Sequence, residues 1–142
     1  MIDLQQTYHT GVLVPCIEAA TRELPIAWCE VQDFVIPVWT SEHRQLTELR
    51  LKYTYAKEGP HRIELIEGEP GSFWDGAAHP GVHHIGVWAD DVGVQTQQCV
   101  EAGWVVELAG QSPEDGYGVF SYLRSPAGFR VELVEAGSET IF

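Results

Sequence analysis

The sequence predicts an α+β fold of two similar modules, each with the order strand, helix and three strands (βαβββ). The first observation behind this prediction is a segment, His-x-Gly-Val, that occurs at residues 9–12 and again at 84–87. The second is a hexapeptide that occurs at residues 62–67 and 130–135 and matches at every position once Ile and Val are treated as equivalent. Because both copies keep the same order along the chain, they indicate an internal duplication.

We place the two modules at residues 5–68 and 80–136, within a single domain that spans residues 1–142. A chain of this length is typical of one domain and can bury a core without disulfides. Between the modules, residues 69–81 are rich in Pro and Gly, which predicts a connecting loop.

Local patterns predict the elements of the first module. An apolar run at residues 11–14 predicts the opening strand. Residues 17–24 have a helical composition, and the helix should end before Pro25, because proline disfavours helical geometry at the residue that precedes it. Strict alternation of apolar and polar residues at 48–55 predicts a further strand, and the hexapeptide at 62–67 closes the module.

The second module repeats this order. Its opening strand is predicted at the apolar run 85–89. A helix follows at 92–103, where apolar residues recur at helical spacing and Gly103 suits the C-cap. A further strand is predicted at 119–124, and the second hexapeptide, at 130–135, closes the module.

The composition disfavours several functions. The chain carries 21 acidic and 8 basic residues, a net charge of -13, so it cannot easily present the basic face that nucleic acids and anionic membranes require. No apolar run is long enough for a membrane span. The first residues lack the pattern of a signal peptide, so we expect the cytoplasm. The cysteines form no Cys-x-x-Cys pair, which argues against a disulfide framework or a thiolate zinc site.

Four residues of the repeats, two from each module, are candidate ligands of a metal ion. Alternate side chains of a strand share a face, and a pseudo-twofold axis between the modules could bring equivalent residues to one point. Two imidazoles and two carboxylates suit a divalent ion such as zinc, nickel, cobalt, iron or manganese. The candidates are His9, Glu64, His84 and Glu132. By the same alternation His83 should point away from the face that His84 uses. If the alternation runs the other way, His83 is the ligand and His84 is not.

The alternative interpretation of these four residues is structural. A single histidine at the start of a strand is usually structural, and a single glutamate in such a strand usually lies on a solvated face. A duplication could then keep both residue types by coincidence. The occurrence of metal-competent residues at all four related positions favours the metal site.

With these motifs the chain resembles the vicinal oxygen chelate superfamily, which includes glyoxalase I, methylmalonyl-CoA epimerase, extradiol dioxygenases, fosfomycin-resistance enzymes and bleomycin-binding proteins. The resemblance covers about residues 7–136 and rests on the segments 9–14, 83–92 and 125–135. It implies a glyoxalase-like fold, in which the sheets of two βαβββ modules curl around a metal-centred pocket. The ligands that it implies are His9, Glu64, His84 and Glu132.

The ligand set helps to separate the branches of this superfamily. The order His, Glu, His, Glu is similar to that of bacterial glyoxalase I, whereas epimerases often carry Gln at the second position. Extradiol dioxygenases and fosfomycin enzymes use three protein ligands, and bleomycin-binding members have generally lost them. The resemblance therefore favours an isomerase, epimerase or lyase that abstracts a proton next to a metal-bound carbonyl. The aromatic residues, 11% of the chain, offer material for an apolar pocket and so favour a small, apolar substrate.

The resemblance also implies catalytic residues. Epimerases carry a glutamate at the position of Glu48 and use it as one of two bases, and Glu132 would be the other base while it contacts the metal. The alternative for Glu48 is a solvated partner of Arg50 or Lys52 on the same strand face. Two other functions stay open, an Fe(II) extradiol-type dioxygenase and a non-catalytic small-molecule-binding protein. The family further implies a homodimer.

Overall fold

Two helices and eight strands follow the predicted order within residues 2–138, the part of the chain that the computed structural model describes. The first half holds β1 (Thr7–Leu13), α1 (Ile17–Glu23), β2 (Gln32–Thr40), β3 (Leu46–Tyr55) and β4 (Arg62–Gly68). The second half holds β5 (Gly81–Ala89), α2 (Val92–Glu101), β6 (Val105–Ala109), β7 (Phe120–Arg124) and β8 (Arg130–Glu135). Short 3-10 helices lie at Leu4–Gln6 and Pro113–Asp115. The α+β prediction is confirmed.

The eight strands close into one barrel in the order β1-β4-β3-β2-β6-β7-β8-β5. In the first half, β4 pairs parallel with β1 and antiparallel with β3, and β3 pairs antiparallel with β2. The second half repeats this pattern with β5, β8, β7 and β6. The halves join through two antiparallel seams, β1–β5 and β2–β6. This arrangement has the pseudo-twofold relation that the repeated segments predict.

The two seams between the halves differ in length. β1 and β5 pair along most of their length, whereas among the described residues β2 pairs with β6 only through Trp39 and Thr40. The earlier part of β2 therefore needs no hydrogen bonds on its β6 side, which accommodates Pro37, a residue without a backbone N–H. Phe34 and Ile36, in this part of β2, border the cavity that is described below.

The strands β1 and β5 begin earlier than the local apolar runs predicted. β1 begins at Thr7 rather than residue 11, and β5 begins at Gly81 rather than residue 85. The two strands pair with each other over this extra length, and pairing between distant segments is not visible in a local pattern. As a result His9 and His84 lie inside strands.

The helices pack against the sheet through apolar side chains. In α1 the fully buried Ile17 packs against β1 and β4, and its backbone N–H donates to the carboxylate of Glu67 at 2.9 Å. In α2 the N-cap residue Asp91 accepts from a backbone N–H of the first turn, and Cys99 is fully buried. Neither helix of the described chain has the length and apolarity needed to cross a membrane.

The segment between the halves is a loop, as predicted, but it also contributes to the core. Trp74, at its centre, is fully buried, and its carbonyl accepts from the backbone N–H of Gly68 at 3.0 Å. The carboxylate of Asp75 accepts backbone N–H groups from Gly71, Ala77 and Ala78. These bonds fix the loop so that Trp74 occupies the interior of the barrel.

Candidate metal centre

The four residues that the repeats predicted as ligands lie together in the interior. The Nε2 atoms of His9 and His84 are 2.9 Å apart. Oε1 of Glu64 lies 3.2 Å from Nε2 of His9 and 3.3 Å from Nε2 of His84. Oε1 of Glu132 lies 3.3 Å and 3.2 Å from the same two atoms. All four residues are buried, and one ligand atom from each lies within 4.8 Å of the others, so this group could hold a metal ion.

The four residues come from four neighbouring strands and lie in two rows across the sheet. One row holds Glu64, Gly11 and His84, and the other holds His9, Gly86 and Glu132. Residues that lie opposite one another on neighbouring strands point to the same face. Each row therefore presents one imidazole and one carboxylate to the interior, with a glycine between them.

Gly11 and Gly86 provide the space that the two imidazole rings occupy. A Cβ atom on Gly11 would lie 2.0 Å from Cε1 of His84, and one on Gly86 would lie 1.9 Å from Cε1 of His9. No side chain fits at such distances. The repeated His-x-Gly-Val segment therefore has a physical basis, because each copy supplies one imidazole and also the space for the imidazole of the other copy.

A β-bulge precedes each of the two histidines. The register of the β1–β5 ladder shifts by one residue at Tyr8 and again at His83. An extra residue reverses the alternation of side chains beyond it, so His83 and His84 both point inward and their Nδ1 atoms are 2.9 Å apart. The prediction that His83 points away from the face of His84 is therefore wrong. His84, and not His83, belongs to the four-residue group.

The pKa values of the group shift as expected for a buried network of opposite charges. Burial by itself disfavours the charged form of each residue. The carboxylates of Glu64 and Glu132 nevertheless raise the pKa of His9 to about 10 and also raise the pKa of His84. The two imidazoles in turn lower the pKa of both carboxyl groups. Without a metal, His9 therefore holds a proton well above neutral pH, and the carboxylates also favour the protonated form of His84.

The geometry fits a divalent ion better than it fits protons. Two protonated Nε2 atoms would face each other at 2.9 Å, where like charges repel. Oε1 of Glu64 is buried and, within residues 2–138, accepts no well-aligned hydrogen bond. An ion that accepts lone pairs from all four residues removes both problems. Ligand atoms that each lie about 2.0–2.2 Å from one ion have neighbour separations like those observed.

We expect binding of a divalent ion to release protons, because imidazoles must be deprotonated to act as ligands. His9 has a raised pKa of about 10 without metal, so at pH 7 it is protonated and must lose that proton. The apparent affinity should therefore rise with pH from neutrality to about pH 10. Calorimetric zinc titrations at pH 7, in buffers of different ionisation enthalpy, should show release of about one proton or more per ion. Zinc binding without proton release would contradict the assignment.

Glu48, which was expected to act as a base, is not brought to this group. It is exposed on β3. The opposite face of β3 carries Tyr53 and Tyr55, which border the cavity beside the group, so Glu48 points away from that cavity. Its position matches the alternative interpretation, in which Glu48 shares a solvated face with Arg50 and Lys52.

A cavity of about 310 Å³ lies beside the group, and Glu64 and Glu132 form part of its wall. The rest of the wall is mainly aromatic and aliphatic, and among the described residues no Lys or Arg lines it. Apart from the two glutamates, the lining residues are Phe34, Ile36, Leu51, Tyr53, Tyr55, Trp74, Val119, Phe120, Tyr122, Val134 and Ser138. Such a wall suits a small, apolar molecule.

Two tyrosines that the sequence pattern did not single out lie next to the glutamates. Tyr55 is opposite Glu64 in the β3–β4 ladder, and Tyr122 is opposite Glu132 in the β7–β8 ladder. The hydroxyl of Tyr122 accepts from Nε1 of Trp74 at 3.3 Å. Burial, together with the two carboxylates, raises the pKa of Tyr122 well above its ordinary value, so the hydroxyl keeps a proton that it can donate. Only the strand register reveals these contacts.

Three comparisons place the chain among known proteins. The sequence profile of the glyoxalase/bleomycin resistance protein/dioxygenase superfamily matches residues 8–122. No curated protein matches the sequence. A solved structure of a hypothetical protein from Bacillus halodurans is similar, with 15% identity, a TM-score of 0.54, and coverage of 94% of this chain and 96% of that one.

A second solved structure is similar to the same degree. It is a variant of Streptomyces coelicolor methylmalonyl-CoA epimerase in complex with 2-nitronate-propionyl-CoA. The identity is 16%, the TM-score is 0.55, and the match covers 93% of this chain and 94% of the epimerase. At this level of identity both structures support the fold and not a particular reaction.

Proposed function

This chain belongs to the glyoxalase/bleomycin resistance protein/dioxygenase superfamily, and from that premise we propose that it is a metal-dependent isomerase, epimerase or lyase. In the proposed reaction a base removes the proton next to the carbonyl of a small, apolar substrate. One observation carries the proposal: a buried group of two imidazoles and two carboxylates lies in the wall of an apolar cavity. The proposed ligands are His9, Glu64, His84 and Glu132.

The chemistry divides between the ion and the side chains. A divalent ion at this group would polarise a substrate oxygen and lower the pKa of the neighbouring C–H. Glu132 acts as the base, because a carboxylate has two oxygens and can contact an ion with one while the other accepts a proton. In the metal-free group the two imidazoles lower the pKa of Glu132, so its carboxyl is already ionised at neutral pH, the form that a metal ligand and a base both require. Tyr122, which stays protonated, donates a hydrogen bond to a substrate oxygen.

An epimerase requires a base on each face of the substrate, and Glu48 does not supply the second one. Among the described residues, Glu64 is the other carboxylate in the cavity wall, and it occupies the position in β4 that Glu132 occupies in β8. We therefore assign the second base to Glu64 if the reaction is an epimerisation. An isomerase or lyase with a single base needs Glu132 alone.

The cavity restricts the substrate. The proposed ion would offset the charge of the two carboxylates at the centre, and among residues 2–138 no Lys or Arg lines the rest of the cavity. A phosphate or carboxylate on a part of the substrate away from the ion would therefore lack a partner. The aromatic walls instead favour an uncharged, apolar substrate, which is the class that we propose.

We expect Glu132→Gln to slow proton abstraction strongly. In D2O the zinc- or nickel-loaded protein should exchange the α-hydrogen of at least one uncharged carbonyl compound in a panel with a neighbouring oxygen. The rate, followed by proton NMR, should fall about 10²–10⁴-fold in Glu132→Gln, the usual contribution of a general base. Glu64→Gln should keep this exchange but lose interconversion of stereoisomers if the enzyme is an epimerase.

Glu48→Gln is the matched control for this experiment, because Glu48 is exposed and points away from the cavity. It should exchange the α-hydrogen at the wild-type rate. The ion content of each variant separates loss of the base from loss of the metal. A Glu132→Gln protein that keeps its ion and the full exchange rate would contradict the role of Glu132.

The aromatic wall of the cavity also suits a flat ring, which supports a second candidate, an Fe(II) dioxygenase that acts on catechols. Oxygen uptake that requires both Fe(II) and a catechol would favour this candidate over proton transfer. Absence of uptake across a catechol panel would exclude it. In a non-catalytic binding protein, removal of the metal ligands would leave the affinity for small molecules unchanged.

All four proposed ligands lie in one chain. The centre therefore does not need a residue from a second copy. The homodimer that the family implies stays a prediction, and size-exclusion chromatography with light scattering tests it.

A further inference from the structure

We propose that His83 is a positioning residue that fixes the tautomer of His84, so that Nε2 of His84 is the atom offered to the ion. This inference rests on the proposed metal centre and extends it to a residue outside the four ligands. It starts from the bulge in β5, which brings two consecutive histidines to the same side of the strand.

The bulged backbone at His83 is held in place by Arg130. Nη1 of Arg130 donates to the carbonyl oxygen of His83 at 3.2 Å. The guanidinium is itself fixed, because it donates to both carboxylate oxygens of Glu107, at 2.8 Å and 3.3 Å, and lies over the ring of Phe73 with Cζ 5.0 Å from the ring centre. The imidazole of His83 is buried between Phe73 and Tyr122, with ring centres 4.7 Å and 5.8 Å away. These contacts confine the ring, and of its two nitrogens Nε2 is buried without a hydrogen-bond partner among the described residues.

The position of the proton on His84 fixes the roles of the two rings. Nε2 of His84 points to the other three proposed ligands, so it must be unprotonated when an ion is bound. The neutral ring then carries its proton on Nδ1, which lies 2.9 Å from Nδ1 of His83. His84 must donate this hydrogen bond and His83 must accept it. A ligand histidine whose second nitrogen donates to a fixed acceptor is held in one tautomer and one orientation.

Only one of the two ligand histidines has such an acceptor, so the proposed role of His83 concerns His84 and not His9. Nδ1 of His9 is buried and has no hydrogen-bond partner among the described residues. The residue before His9, at the equivalent bulge, is Tyr8, whose ring stacks on Trp88 with a centre separation of 3.7 Å. Of the two imidazoles, only that of His84 has a side-chain acceptor behind it within residues 2–138.

Two substitutions distinguish the effect of losing the hydrogen-bond acceptor from the effect of changing the shape of the ring. His83→Phe keeps an aromatic ring between Phe73 and Tyr122 but removes the acceptor. His83→Asn keeps an acceptor, because its Oδ1 occupies the position of Nδ1 along the side chain. We expect zinc affinity, measured by competition with a chromophoric chelator, to fall about 10–100-fold in His83→Phe and to recover most of that loss in His83→Asn.

A spectroscopic readout distinguishes positioning from general packing. In 15N-histidine-labelled, zinc-loaded protein, long-range proton–nitrogen correlations should show His84 with zinc on Nε2 and a hydrogen-bonded proton on Nδ1. That downfield proton resonance should be lost or move upfield in His83→Phe and persist in His83→Asn. A purely structural role would instead change folding, followed by circular dichroism, without this pattern.

Two results would overturn the role of His83: zinc binding by His83→Phe as tight as that of the wild type, or an equal loss in both variants. A wild-type protein that binds no zinc is a different outcome. It would overturn the metal centre itself and with it the inference that depends on it.

Discussion

Replacing His84 by alanine is expected to remove the bound ion. Wild-type protein, loaded with metal and dialysed, should hold about one divalent ion per chain by elemental mass spectrometry. His84→Ala and Glu132→Ala should each hold less than about a tenth of that amount, because each variant lacks one of the four proposed ligands. The effect is large because the four atoms act together, at separations of 2.9–3.3 Å.

The same loss should be visible in stability. An ion that binds only the folded chain stabilises it by about 4 kcal/mol when its concentration is about a thousand times Kd. For a protein of this size that raises Tm by roughly 10 °C. Thermal unfolding with zinc and with a chelator should therefore differ in the wild type and coincide in His84→Ala.

Glu48→Gln serves again as the control, since its side chain is exposed and points away from the cavity. It should bind the ion and shift Tm as the wild type does. A folded wild-type protein that refuses nickel, zinc, cobalt and iron would remove the metal centre and the enzyme with it. The small-molecule-binding interpretation would then take its place.

The amino-acid sequence predicts the four-residue group because of the duplication. Equivalent residues of two related halves converge on the axis between them, and strand alternation gives the face on which each side chain lies. Those two rules are enough to bring His9, Glu64, His84 and Glu132 together, and the folded chain holds one ligand atom from each within 4.8 Å of the others. The proposed division at residues 5–68 and 80–136 keeps each His with the Glu of its own half.

Two residues, His83 and Glu48, lie where the sequence does not predict them, each for a physical reason. The parity rule assumes a continuous ladder, and the one-residue bulge at His83 reverses it. Nothing about a histidine in an apolar strand marks a bulge, so no sequence signal was present. For Glu48 the signal was present, because it alternates with apolar residues in β3 and shares parity with Arg50 and Lys52. The resemblance to epimerases implies a base at Glu48 and the alternation implies a solvated residue; the burial pattern supports the alternation.

The repeated glycines are visible in the sequence, but their role depends on the assembled sheet. Neither Gly11 nor Gly86 has a positive φ, so the backbone at these positions does not require glycine. What requires it is the neighbouring strand, whose histidine ring lies over the glycine. The local pattern His-x-Gly-Val cannot show this, because the ring belongs to the other half of the chain.

Gly86→Ala is therefore expected to disable the centre although it replaces none of the proposed ligands. The new Cβ would lie 1.9 Å from Cε1 and 2.1 Å from Nδ1 of His9. His9 is fully buried, with the ring centres of Tyr8 and Tyr55 at 4.5 Å and 5.5 Å. The His9 ring has little room to move away, so its Nε2 atom must be displaced from the four-residue group. Zinc affinity should fall about 100-fold or more, and the metal-free fold should lose about 1–3 kcal/mol through overpacking.

Gly11→Ala should have the same effect through His84, because its Cβ would lie 2.0 Å from Cε1 of that ring. Gly59→Ala is the control, since a Cβ there meets nothing closer than 3.5 Å; it should keep both zinc affinity and stability. Chelator competition and urea unfolding measure the two quantities separately. If either strand glycine accepts alanine with wild-type zinc affinity, the rings do not occupy that space in solution. The account of the His-x-Gly-Val repeat, in which each half makes room for the ligand of the other, would then be wrong.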